Sequence, residues 1–107
     1  MTLLKEKCEP CHKDGVPLSV DDALALSLDI PDWELLESSI QRTFALDSFK
    51  EAIGFVNQVA EVAEEQEHHP DIFVDYRNVT LTLWTKKIGG LSRNDFILAA
   101  KIDELAD

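Results

Sequence analysis

Apolar residues recur at spacings of three and four from Phe49 through Ala52, Ile53, Val56, Val59, Ala60 and Ala63, which marks one face of a long helix. Ser48 with Glu51 three residues on supplies a capping box at its start. Pro70 cannot extend a helix, so the element is expected over about Phe49 to His68. The period then changes to two. Ile72, Val74 and Tyr76 alternate with Phe73, Asp75 and Arg77, and Val79, Leu81 and Leu83 alternate with Thr80, Thr82 and Trp84. Two strands that meet near Arg77-Asn78 are expected.

Upstream, Ser19 to Leu28 reads as a short helix, with Ser19 as cap, Asp21 and Asp22 in the first turn and Pro31 beyond its end. Trp33 to Leu36 and Ile40 to Leu46 form a candidate strand pair. Downstream, Gly89-Gly90 breaks the strand pattern, and Ser92 to Asp95 opens a last helix carrying Phe96, Leu98, Ala99, Ile102 and Leu105. The order helix, strand, strand, long helix, strand, strand, helix predicts an α+β fold: a four-stranded antiparallel sheet with its helices packed on one face.

A length of 107 residues fits a single domain, with residues 1–17 as a polar, loosely organised segment and the folded body over 18–107. No stretch resembles a signal peptide or a membrane span, so a cytoplasmic protein is expected. Ten Lys and Arg against 21 Asp and Glu give a formal charge of −11, a field that repels phosphate backbones and anionic lipid. Direct binding to nucleic acid or membrane is therefore not expected. The last helix carries more apolar surface than one small sheet covers, which suggests self-association.

Cys8, Cys11 and His12 match the spacing of a c-type haem attachment. The sole methionine is Met1 and no export signal accompanies the motif, so haem is set aside. A structural zinc needs about four ligands, and three are at hand. A reduced, incidental or weakly metal-binding pair is the expectation, with redox pairing as the alternative.

Glu64, His68, His69 and Pro70 stand at the long helix's end, where histidines suit the helix dipole and proline commonly follows. Asp95 suits the third position of the last helix's capping box, and Gly89-Gly90 a turn. Taken together, Glu64, His68-His69-Pro70, Tyr76, Gly89-Gly90-Leu91-Ser92 and Asp95 resemble, in order and spacing, the signature of the pterin-4a-carbinolamine dehydratase family.

The resemblance implies a hydro-lyase that dehydrates 4a-hydroxytetrahydropterin to quinonoid dihydropterin, recycling the cofactor of aromatic amino-acid hydroxylases with no metal or organic cofactor. It implies His69 as the leading acid-base residue, His68 as polariser of the 4a-hydroxyl, and Glu64 and Asp95 as orienting groups. Pro70, Trp84 and Thr85 are read with Glu64 as substrate-binding positions. The resemblance also implies a homo-oligomer, a homodimer or homotetramer. Where most relatives carry a third histidine, or sometimes tryptophan, this chain has Lys86. On a strand that continues past Leu83, Trp84 and Lys86 share a face, where the indole can stack on a flat ring and the ammonium donate a hydrogen bond. At neutral pH a lysine is a poor base unless strongly desolvated. A weakened or altered dehydratase, and a non-catalytic homologue that binds a pterin or a protein partner, are the two functional readings. Lys86-Lys87 as a solubilising pair at a strand end is the plainer alternative.

Overall fold

The computed structural model describes residues 3–9 and 15–106. Four strands, β1 (Glu34–Leu35), β2 (Ile40–Ala45), β3 (Asp71–Asp75) and β4 (Asn78–Leu83), form one antiparallel sheet in the order β1-β2-β4-β3. Three helices, α1 (Val20–Ser27), α2 (Phe49–Gln66) and α3 (Arg93–Ala106), complete the expected element order. Two short 3₁₀ turns, Leu3–Lys5 and Lys86–Ile88, were not expected. Cys11 and His12 lie outside the described residues.

The capping residues act as their chemistry dictates. Ser19 Oγ accepts from Asp22 N–H at 3.1 Å, and Ser48 Oγ accepts from Glu51 N–H at 3.1 Å. The long helix stops two residues short of His68. Glu67 takes a left-handed conformation, φ 54°, and donates to Glu64 O at 3.3 Å while His68 N–H bonds Ala63 O at 3.1 Å. These are the paired bonds of a Schellman ending, here closed by glutamate where glycine is usual. The strand turn falls at Tyr76-Arg77, because Asp75 pairs with Asn78.

β4 lies between β2 and β3, and its Val79, Leu81 and Leu83 are buried while Asn78, Thr80 and Thr82 are partly exposed. The apolar face meets Ala52, Phe55 and Val59 of α2 and Phe96, Leu98 and Ile102 of α3 in one core. The opposite face carries polar cross-strand pairs, Thr43 with Thr80 at 2.8 Å between hydroxyls and Gln41 Nε2 donating to Thr82 Oγ1 at 3.0 Å.

Residues 3–9 differ from the expected loose segment. Leu3 is fully buried in the same core, Lys101 Nζ donates to Leu4 O at 2.7 Å, and Arg93 grips Glu6 through Nε at 2.8 Å and Nη2 at 2.6 Å. The segment packs on α3, whose Phe96 to Ala100 are buried in succession. The apolar surface of α3 that suggested a second subunit is thus covered by the chain's own N-terminal residues, by α1 and by α2. No helix among the described residues is long and apolar enough to cross a membrane.

Candidate active site

The end of α2, the start of β3, the segment after β4 and the start of α3 converge, and the Schellman ending directs the chain there at His68. The ring of His68 reaches Asp95 of α3, with Nε2 and Oδ1 2.6 Å apart. Asp95 is fully buried. Its other oxygen accepts from Ser92 N–H at 2.9 Å and from Thr85 Oγ1 at 2.9 Å, while Thr85 and Ser92 hydroxyls lie 2.7 Å apart. The Ser92–Asp95 capping box is present through its carboxylate arm, and the same carboxylate serves the histidine.

A carboxylate accepts and does not donate, so the proton of the neutral His68 ring sits on Nε2 and Nδ1 is left as the acceptor. His69 has the same arrangement in more open surroundings: its Nε2 lies 2.5 Å from Glu64 Oε2, and both side chains are exposed. Two adjacent histidines therefore carry separate carboxylate partners, one buried and one in solvent.

Lys86 stands differently from expectation. β4 ends at Leu83, so Trp84 and Lys86 do not share a regular strand face. Thr85 N–H bonds Gly90 O at 2.8 Å, which pinches residues 86–89 into a tight loop. Gly89 at φ 67° closes that turn, and a Cβ on Gly90 would come within 2.9 Å of Pro17, so both glycines are required by shape. Lys86 Nζ donates to Asp71 Oδ1 at 3.0 Å and Trp84 Nε1 to Asp71 Oδ2 at 3.2 Å. The ammonium also lies 5.8 Å from the Trp84 ring centroid. The hydrogen bond from Lys86, then that from Trp84, holds the Asp71 carboxyl below its ordinary value against the opposing effect of partial burial. Asp71 had no signal in the sequence beyond its place after Pro70.

A cavity of about 380 Å³ brings these groups together: His68, His69, Trp84, Thr85, Lys86 and Lys87 line it, with Gln66, Glu67 and Asn94. Cys8 and Glu9 line it as well, which the sequence reading missed. Glu64, Pro70 and Asp95 are not lining residues; Glu64 and Asp95 act on the histidines from behind, and Pro70 carries the chain from His69 into β3. Among the described residues no group of three or more His, Cys, Asp or Glu side chains is placed to hold a metal ion.

Comparison with known proteins matches residues 17–105 to the family described as Pterin 4 alpha carbinolamine dehydratase. A Nitrosococcus oceani protein named "Putative pterin-4-alpha-carbinolamine dehydratase" is 43% identical over 103 residues, covering 92% of this chain and 91% of that one. A Rubrobacter xylanophilus protein of the same name is 41% identical over 104 residues, covering 96% and 97%. The crystal structure of a transcriptional coactivator/pterin dehydratase from Brucella melitensis superposes with a TM-score of 0.80 at 29% identity, covering 85% of this chain and 99% of that one. A pterin dehydratase-like protein identified as a RuBisCO assembly factor of the alpha-carboxysome shares the fold, with a TM-score of 0.57 at 20% identity over 89% of this chain and 94% of that one.

Proposed function

This chain belongs to the pterin-4a-carbinolamine dehydratase family, and we propose that it dehydrates a 4a-hydroxytetrahydropterin to the quinonoid dihydropterin. The observation that carries the reading is the histidine pair, each ring tied by Nε2 to its own carboxylate, at one cavity with Trp84 and Lys86.

The reaction moves one proton from N5 to the 4a-hydroxyl, breaks the C4a–O bond and releases water. Hydroxide is a poor leaving group, so a donor must reach the oxygen while a base takes the N5 proton. His69, exposed and lining the cavity, exchanges that proton through Nδ1, since its Nε2 is taken by Glu64. His68, fixed by buried Asp95, hydrogen-bonds the hydroxyl and holds C4a in place. Lys86 has three N–H donors and directs one to Asp71, so it can donate to the departing oxygen. The Trp84 indole offers a flat surface for the pteridine ring.

Lys86, bonded to Asp71 at the position where the family resemblance implies a histidine, favours one second reading, a homologue that binds a reduced pterin without turning it over. Rapid-mixing measurement of carbinolamine dehydration, with and without the protein and with His69→Ala as control, separates them. Acceleration lost in His69→Ala supports the enzyme. Binding without acceleration supports the second reading, and no binding removes both.

A further inference from the structure

The cavity is lined from three separate stretches, residues 66–69, residues 84–87 and residues 8–9, with Asn94 beside them. The histidines stand on the first stretch, and Trp84 and Lys86 on the second. The third lies ahead of the family match, which begins at residue 17.

This N-terminal strap is held by a built seat. Gln66 and Asn94 are buried polar side chains, and both point their amides at the strap backbone. Gln66 Oε1 accepts from Cys8 N–H at 2.9 Å. Asn94 Oδ1 accepts from Glu9 N–H at 2.9 Å, and Asn94 Nδ2 donates to Glu9 O at 2.6 Å. Cys8 Sγ lies 3.5 Å from Asn94 O. The backbone of Glu9 is thus gripped on both sides, and burying two amides for this purpose is favourable only because every bond is made.

We propose that the strap is a substrate-reading wall of the site, in which the Glu9 carboxylate accepts from the exocyclic amine and the adjacent ring N–H of the pteridine. The proposal rests on the pterin reading given above. With C4a at the histidines, the exocyclic amine lies directly across the pyrimidine ring from that carbon. That edge presents two parallel N–H donors, which match the two oxygens of a carboxylate. Two acidic residues line the cavity, Glu9 and Glu67. Glu67 precedes His68 in the chain and closes α2 on the histidines' own stretch. Glu9 arrives on a different stretch with a pinned backbone, which is the preorganisation that substrate reading requires.

Calorimetric titration tests this with two probes: dihydrobiopterin, and the lumazine counterpart in which oxygen replaces the exocyclic amine. The wild type is expected to prefer the pterin by at least about tenfold, since the lumazine turns an acceptor toward the carboxylate. Glu9→Gln should reduce the preference to within about threefold and raise KM with kcat unchanged, while Glu67→Gln keeps the preference. A preference kept by Glu9→Gln, or lost in Glu67→Gln instead, overturns the role of the strap and leaves the pterin reading standing. A wild type that binds neither probe overturns both.

Discussion

His68 Nε2 and Asp95 Oδ1 meet 2.6 Å apart across the junction of α2 and α3, although the two residues are 27 positions apart in the chain. The same buried carboxylate accepts from Thr85 and from Ser92 N–H, so one side chain starts α3, ties down the segment after β4 and sets the histidine's tautomer. Asp95→Asn keeps the size but places an NH₂ among three donors. It should lower stability by about 1–3 kcal/mol in urea unfolding. Turnover should fall at least about tenfold, because His68 loses its fixed orientation.

The paired histidines should divide the chemistry unequally. His69→Ala is expected to reduce dehydration by roughly 100-fold or more, the scale of losing a general acid or base, and His68→Ala by less. Single-turnover rates measure both. Equal, full activity in the two variants would return these residues to a purely structural place at the helix end.

Two tryptophans report two carboxylates shifted in opposite directions. Trp84 Nε1 donates to Asp71, whose carboxyl is held low by Lys86 and Trp84. Trp33 Nε1 donates to Asp103 at 2.7 Å, whose carboxyl is raised by burial despite the bonds from Trp33 and Arg42. For Asp71 the depressed folded value means the contact is fully present above the unfolded value of about 3.9 and is lost as pH falls through the lower folded one. For Asp103 the raised folded value means that ionisation opposes folding, so its contribution declines as pH rises through that value. Fluorescence titration should therefore place the Trp33 transition, read in Trp84→Phe, at higher pH than the Trp84 transition, read in Trp33→Phe. The reverse order would contradict these environments.

Leu3 shows where the sequence was silent. Its neighbours Thr2, Lys5, Glu6 and Lys7 give no period, so the segment reads as solvated, yet Leu3 is fully buried against the core. Leu3→Ala should cost about 2–5 kcal/mol in urea unfolding, the range for a buried leucine. A cost below about 0.5 kcal/mol would show the strap detached in solution.

The contrast follows from the range of the interactions involved. α2 was legible because its apolar period and its Ser48 cap are local, and β4 because Val79, Leu81 and Leu83 alternate with polar residues. The pairing of His68 with Asp95 had no local period to announce it, and attention came to these residues through the family resemblance alone. Asp71, Gln66, Asn94 and Glu9 were not legible, since each matters through a partner far along the chain: Lys86 for Asp71, Cys8 for Gln66, and each other for Asn94 and Glu9. The helix end erred by two residues because Glu67 adopts a left-handed turn that favours glycine.

Lys86 stands where the family resemblance implies a third histidine, and the structure shows what the lysine contacts. Its ammonium is bonded to Asp71, which also holds Trp84, so the charge is anchored at the cavity rather than free in solvent. Lys86→His replaces a donor with a side chain that both donates and accepts near neutral pH. It should raise dehydration several-fold, on the order of 1 kcal/mol in barrier. The fold should be little affected, because the Lys86–Asp71 pair is more than half exposed and such pairs contribute little to stability. Asp71→Asn in the wild-type background separates anchoring from chemistry: it should leave the lysine in the cavity but unfixed, lowering turnover while Lys86→His gains. If Lys86→His is slower than the wild type, the lysine is itself the proton donor to the departing hydroxyl. In that case Lys86→Met should be slower still, and the deficit should not be recovered by histidine at any pH between about 6 and 8, where imidazole exchanges its proton.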